Sequence, residues 1–100
     1  MSRAIAVIAT AAAKRLDALT PAAREAVEQL RRELEHNPRL GVLRGAREAT
    51  GSQVVYRTRV EPRPGTRGLT VVYVYTYAPH PPAVVIISVT PDDPADEPRP

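Results

Sequence analysis

Between residues 54 and 60 the chain alternates with a period of two. Val54, Tyr56, Thr58 and Val60 fall on one side of an extended strand, and Arg57 and Arg59 fall on the other. A half-buried strand accommodates that arrangement, with its apolar face packed inward and fixed positive charge left in water. The segment Leu69–Tyr77 repeats the period, with Leu69, Val71, Tyr73, Tyr75 and Tyr77 on one face and Thr70, Val72, Val74 and Thr76 on the other. The tyrosine face has two readings. It is either the side that packs on helices, which is preferred, or a platform on which nucleic-acid bases stack. Two arginines displayed on one strand face form a surface for an anion, either phosphate backbone or an acidic protein segment.

One hundred residues, 43% of them hydrophobic, suffice for one core and one domain. Phe and Trp are absent and Tyr occurs four times, so Val, Ile, Leu and Ala must build the interior. That argues against a deep aromatic pocket for a small molecule, and no cofactor is expected. Without Cys there is neither disulfide nor thiolate chemistry, and His36 and His80 are too far apart in sequence to propose a metal site. The apolar run after Arg3 superficially resembles a secretory signal, but it ends at Lys14-Arg15 in an amphipathic pattern and reads as a buried strand followed by a helix. No run approaches the roughly 18 apolar residues of a membrane span, so a cytoplasmic protein without membrane contact is expected.

The net charge of +3 is unevenly spread. Residues 1–90 carry thirteen Lys/Arg against seven Asp/Glu, whereas residues 91–100 carry four acids and one Arg. A basic body thus precedes an acidic tail. Thirteen of the fourteen basic residues are Arg, whose planar fork pairs bidentately with carboxylate or phosphate. Base composition of a high-GC bacterial genome is the competing explanation of that bias.

Ala4–Ile8 reads as a short strand. Thr10 is placed to cap a helix with Ala12, Leu16 and Leu19 on its apolar side. Thr20 and Pro21 open a second helix with an apolar stripe of Ala23, Val27, Leu30 and Leu34, ended by Asn37-Pro38. Residues 39–52, with three glycines, read as a connecting loop. Strands follow at 53–60, 68–77 and 83–90, separated by a gap at 61–67 and a Pro-rich turn at 78–82. The expected fold is α+β in the order β-α-α-β-β-β, with both helices on one face of a four-stranded, mainly antiparallel sheet and the opposite face open. Residues 1–90 form the domain, and 91–100 a disordered acidic, Pro-rich tail unless it docks.

This order, together with Glu35-His36-Asn37-Pro38-Arg39, Leu43-Arg44-Gly45, Tyr56-Arg57-Thr58-Arg59-Val60, Gly68-Leu69-Thr70-Val71-Val72-Tyr73 and Val85-Ile86-Ile87-Ser88-Val89, resembles the RelE/ParE superfamily of type II toxin-antitoxin toxins over residues 4–90. The resemblance implies a bacterial toxin-like protein with an acidic antitoxin as partner and either messenger RNA on the ribosome or DNA gyrase as target. In the ribonuclease branch, basic residues of the concave face stabilise the phosphate while a base accepts the ribose proton. Arg57 and Arg59 fall on paired basic positions of that face. The chain departs from the pattern at Thr70, where a cation is usual, and at Thr90-Pro91-Asp92-Asp93, where the last strand usually runs into a terminal Arg. No aromatic residue follows Tyr77. The usual ribonuclease residue set is therefore largely missing.

Arg57 and Arg59 are accordingly expected to be anion contacts, with Arg44 and Arg47 before the strand and Arg63 and Arg67 in the hairpin gap as extensions of the patch. Candidates for acid-base chemistry are limited to Tyr77 and His80, while His36 suits the end of a helix dipole. The acidic tail at Asp92, Asp93, Asp96 and Glu97 is placed to fold back over the arginine face. Function is expected to be that of a toxin-like component, or a diverged homologue, that binds an anionic partner. The alternative is a gyrase inhibitor or protein-binding module without catalysis.

Overall fold

A computed structural model of the chain describes residues 4–43 and 52–92. The order is β1 (Ile5–Ile8), α1 (Thr10–Asp17), α2 (Pro21–His36), β2 (Val42–Leu43), β3 (Gln53–Val60), β4 (Leu69–Thr76) and β5 (Ala83–Pro91). The strands form one mixed sheet in the order β1-β5-β4-β3-β2. β1 runs parallel to β5, and the other neighbours are antiparallel. Two helices on one face of a mixed sheet make this an α+β protein.

Both helices follow from local sequence. Pro21 occupies the first turn of α2, where its missing N–H is harmless, and the Thr20 hydroxyl accepts a hydrogen bond from the Ala23 N–H at 3.2 Å. Ala23, Val27, Leu30 and Leu34 recur at helical spacing and are buried, as is Ala26. In α1 the buried residues are Ala12 and Leu16. Thr10 is the first helical residue there, and the cap position belongs to Ala9, which has no side chain able to accept a bond.

The helices pack on the sheet face made by Ala6, Tyr56, Val60, Leu69, Val71, Tyr73, Tyr75, Val84, Ile86 and Val89. The tyrosine row is thus the core face, and Tyr77, 40% exposed, stands at its rim. Tyr56 and Tyr73 stack with ring centroids 5.5 Å apart. At the outer edge of the sheet, α2 covers β1: the Ala4 N–H donates to the Glu35 carbonyl at 3.0 Å, and Arg31 Nη1 donates to the Ala6 carbonyl at 2.9 Å. These bonds occupy backbone groups that would otherwise invite another strand.

The sheet differs from the expected one in having a fifth strand. The segment 39–52, read as a loop, contains β2, which pairs Val42 with Arg57 and Leu43 with Tyr56. Two residues are too few for a periodic signal, and what fixes them lies elsewhere. The buried Tyr73 hydroxyl donates to the Pro38 carbonyl at 2.8 Å and accepts from the Gly41 N–H at 3.0 Å. A Cβ at residue 41 would come within 2.6 Å of the Arg57 carbonyl oxygen, so only glycine lets the segment lie so close to β3. The last strand also runs one residue past its expected end, to Pro91.

Tyr73→Phe keeps the ring but strips both hydrogen bonds from the 38–41 turn. It is expected to lower the unfolding free energy by about 1–3 kcal/mol in urea titrations, the range for a buried polar group left unpaired. A change within error would mean that water or a shifted backbone satisfies Pro38 and Gly41 equally well.

Candidate anion-binding sheet face

Tyr56 and Val60 are buried toward the helices, so the intervening Arg57 and Arg59 leave the sheet on its uncovered side. In register, Arg57 lies between Val42 and Val72, and Arg59 opposite Thr70. Two residues along a strand separates the two positions by roughly 6.7 Å. A small recess of about 270 Å³ opens beside them, lined by Leu40, Gly41, Arg57, Thr58 and Arg59.

The two arginines have different surroundings. Arg59 forms a bidentate pair with Asp92, Nη1 to Oδ1 at 2.9 Å and Nη2 to Oδ2 at 2.7 Å, and its Nε lies 3.9 Å from a Glu61 carboxylate oxygen. The parallel hydrogen bonds, reinforced by the charge of Arg59, hold the Asp92 carboxyl below its ordinary pKa of 3.8. The same bonds raise the Arg59 guanidinium above an already high value. The Arg57 side chain is exposed and makes no hydrogen bond or ion pair among the described residues.

The rest of this face is aliphatic. Because Ala4 and Ala6 turn toward the helices, Ile5 and Val7 turn outward and are 53% and 48% exposed. The register of β4 and β5 shifts at Val72/Tyr73, leaving Ile87 as the extra residue, and it is also exposed. β5 is an interior strand whose other face carries the helices, so an exposed side chain on it belongs to the open face.

The other expected site residues do not gather around this pair. Arg63 bonds across its hairpin to Thr66 and points Nη1 at Gln29 of α2, 3.4 Å away, on the helix side. Arg67 lines a cleft of about 630 Å³ between the α1–α2 connection, the hairpin and the end of β5, a cleft that also includes Thr20, Arg63, Leu69 and Asp92. Tyr77 and His80 follow the end of β4, whose last residue Thr76 faces Gln53. Four residues of β3, roughly 13 Å, separate that end from Arg57. His80 is exposed and has no hydrogen bond among the described residues. The two acid-base candidates therefore do not meet the two cations. Arg44 and Arg47 lie outside the described residues.

Sequence reasoning missed two features. One is Arg39, which donates to the Tyr56 hydroxyl at 2.8 Å and places its guanidinium 5.1 Å and 5.7 Å from the ring centroids of Tyr75 and Tyr77. Its place after Asn37-Pro38 gave no hint of a tyrosine neighbourhood. The other is the aliphatic half of the open face. The alternation of Ala4 and Ala6 with Ile5 and Val7 was legible, but a reader assigns the larger side chains to the core.

Among the described residues no charged side chain is fully buried, and no buried side-chain polar atom lacks a partner. Among the described residues no helix is long and apolar enough to cross a membrane, and no three His, Cys, Asp or Glu side chains are grouped to hold a metal ion. Comparison with protein-family models, with curated proteins and with solved structures returned no match.

The Arg59–Asp92 pair gives a pH dependence of known sign. Asp92 has a lower pKa folded than unfolded, so the pair's stabilisation is full above about pH 3.8 and disappears as pH falls through the lower folded value. In a carboxyl-carbon NMR titration Asp92 is expected to titrate below 3.8 in the wild type and to return toward it in Arg59→Ala. Identical midpoints in the two proteins would show that the pair is not formed in solution.

Proposed function

We propose that this chain is a toxin-like component of a type II toxin-antitoxin pair, diverged from the RelE/ParE plan, and that it acts by binding an acidic protein segment on the open face of its sheet. The observation that carries this reading is the composition of that face. Arg57 has no acidic partner among the described residues, and it shares the uncovered side of the sheet with the exposed Ile5, Val7 and Ile87. Cations beside an aliphatic strip suit an amphipathic segment that offers carboxylates along one edge and apolar side chains along the other. The family part of the reading rests on the order of a strand, two helices and the later antiparallel strands together with the sequence motifs.

A message-cleaving role is less well supported by the same geometry. Stacking of bases calls for exposed aromatic faces. Here Tyr56, Tyr73 and Tyr75 are turned toward the helices. In-line attack by a ribose hydroxyl also needs a proton acceptor close to the cations that hold the phosphate. The group nearest Arg59 is Asp92, whose lowered pKa makes it a poor base and whose negative charge opposes a phosphate.

Inducible expression in a bacterial host, with the wild type beside Arg57→Ala/Arg59→Ala, tests the proposal. The wild type is expected to arrest growth without fragmenting messenger RNA, and the double variant, at equal protein level, to restore at least tenfold more colonies. A DNA-damage response during arrest would identify the target as gyrase. Message cleavage would overturn the preference for binding over cutting, and normal growth with the wild type would overturn the toxin reading.

A further inference from the structure

The anion-binding position at Arg59 is filled by the chain itself. Asp92 follows directly on β5 and meets the guanidinium fork to fork, the geometry in which an arginine would hold a carboxylate from any other source. Its backbone is fixed as well, since the Asp92 N–H donates to the Gly68 carbonyl at 2.9 Å. The room for this contact comes from Gly68. A methyl group at that residue would stand 2.6 Å from Arg59 Nη2 and closer still to Asp92 Oδ2. Gly68 has no positive φ, so neither turn geometry nor backbone strain explains a glycine there. Two residues along β3, Arg57 has no such occupant among the described residues.

We propose that Asp92 is a tethered occupant of the Arg59 site, and that an acidic partner segment engages Arg57 first and gains Arg59 only by displacing Asp92. The inference rests on reading the open face as a surface for acidic protein segments, and it adds a built-in competitor to that surface. Exchange of one carboxylate for another leaves the number of charged pairs unchanged, with the displaced Asp92 carboxylate released to water. A partner with carboxylates on alternate residues of an extended segment matches the spacing of Arg57 and Arg59, because both repeats are roughly 6.7 Å. The competitor lowers affinity by the fraction of time that Arg59 is open, and it does so for every acidic segment, so that weak partners are excluded and one anchored elsewhere on the face is accepted.

The full chain is titrated by fluorescence anisotropy with a labelled decapeptide of alternating Glu and Val, and separately with a labelled uridine decamer. Asp92→Ala removes the competing side chain, and Asp92→Asn removes its charge while keeping its shape, and neither crowds Arg59. At about 50 mM salt, where screening leaves close charge contacts in force, each variant is expected to bind the peptide about tenfold more tightly than wild type. Glu61→Gln removes the same charge from a neighbour outside the fork and is expected to change binding less than about twofold. Adding Arg57→Ala/Arg59→Ala should abolish the gain in either variant.

An unchanged affinity in Asp92→Ala, or an effect of Glu61→Gln equal to that of Asp92→Asn, would overturn the competitor while leaving the open face as a binding surface. Peptide binding that is indifferent to Arg57→Ala/Arg59→Ala in every background would instead overturn the reading of that face. A gain for the uridine decamer alone would overturn the choice of an acidic protein as occupant.

Discussion

The burial of one face of the sheet in the core shared with the helices decides almost everything else about this molecule. Leu69, Val71, Tyr73 and Tyr75 form a continuous row on β4 that lies in one buried core with Ala23, Val27, Leu30 and Leu34 of α2. Once that row faces the helices, strand alternation fixes the other side. Thr70, Val72, Val74 and Thr76 face away from the helices, and pairing with β3 and β5 carries the same division across the sheet. Arg57 and Arg59 are outside because Tyr56 and Val60 are inside. A slip of one residue in β3 would exchange the two sets and drive guanidinium groups into a core that, among the described residues, contains no charged side chain.

The aromatic chemistry and the cationic chemistry of the sheet are consequently separated. Tyr73 spends its hydroxyl on Pro38 and Gly41, which ties β2 to the sheet, and the Tyr56 hydroxyl accepts from Arg39. Burial raises the Tyr73 pKa above 10.0, more than the hydrogen bond from Gly41 lowers it, so the hydroxyl stays protonated and structural at neutral pH. The open face keeps cations and aliphatic side chains without the rings. That separation is the physical reason for favouring a protein partner over a base-stacked nucleic acid.

Much of this was legible in the sequence, and the limits have physical causes. The alternation at 54–60 and 69–77 is strong because each strand has one buried and one uncovered face, and the α2 stripe is strong because Thr20, Pro21 and Asn37 mark its ends. β2 was not legible, since it owes its place to a tyrosine hydroxyl more than thirty residues away and to the absence of a Cβ at Gly41. The arginine patch was legible as residues but not as an assembly. Arg57 and Arg59 stay together on one strand, whereas the hairpin carries Arg63 toward Gln29, and Tyr77 and His80 sit at the other end of the sheet. The acidic bias after residue 90 offered either a disordered tail or a cover of Asp92, Asp93, Asp96 and Glu97 over the Arg57/Arg59 face; the structure pairs Asp92 with Arg59, and the other three lie outside the described residues.

The chain has no cysteine, so single cysteines can report which side of the sheet is free. Val7→Cys and Ile87→Cys on the open face and Val71→Cys on the helix face are treated with a thiol reagent under native conditions, and labelling rates are compared with those after unfolding. The first two should react within about tenfold of the unfolded rate, and Val71→Cys at least a hundredfold more slowly, because it opens only through local or global unfolding. Equal rates at positions 7, 71 and 87, or a faster rate at 71, would contradict the assignment of the two faces and with it the binding surface built on Arg57 and Arg59.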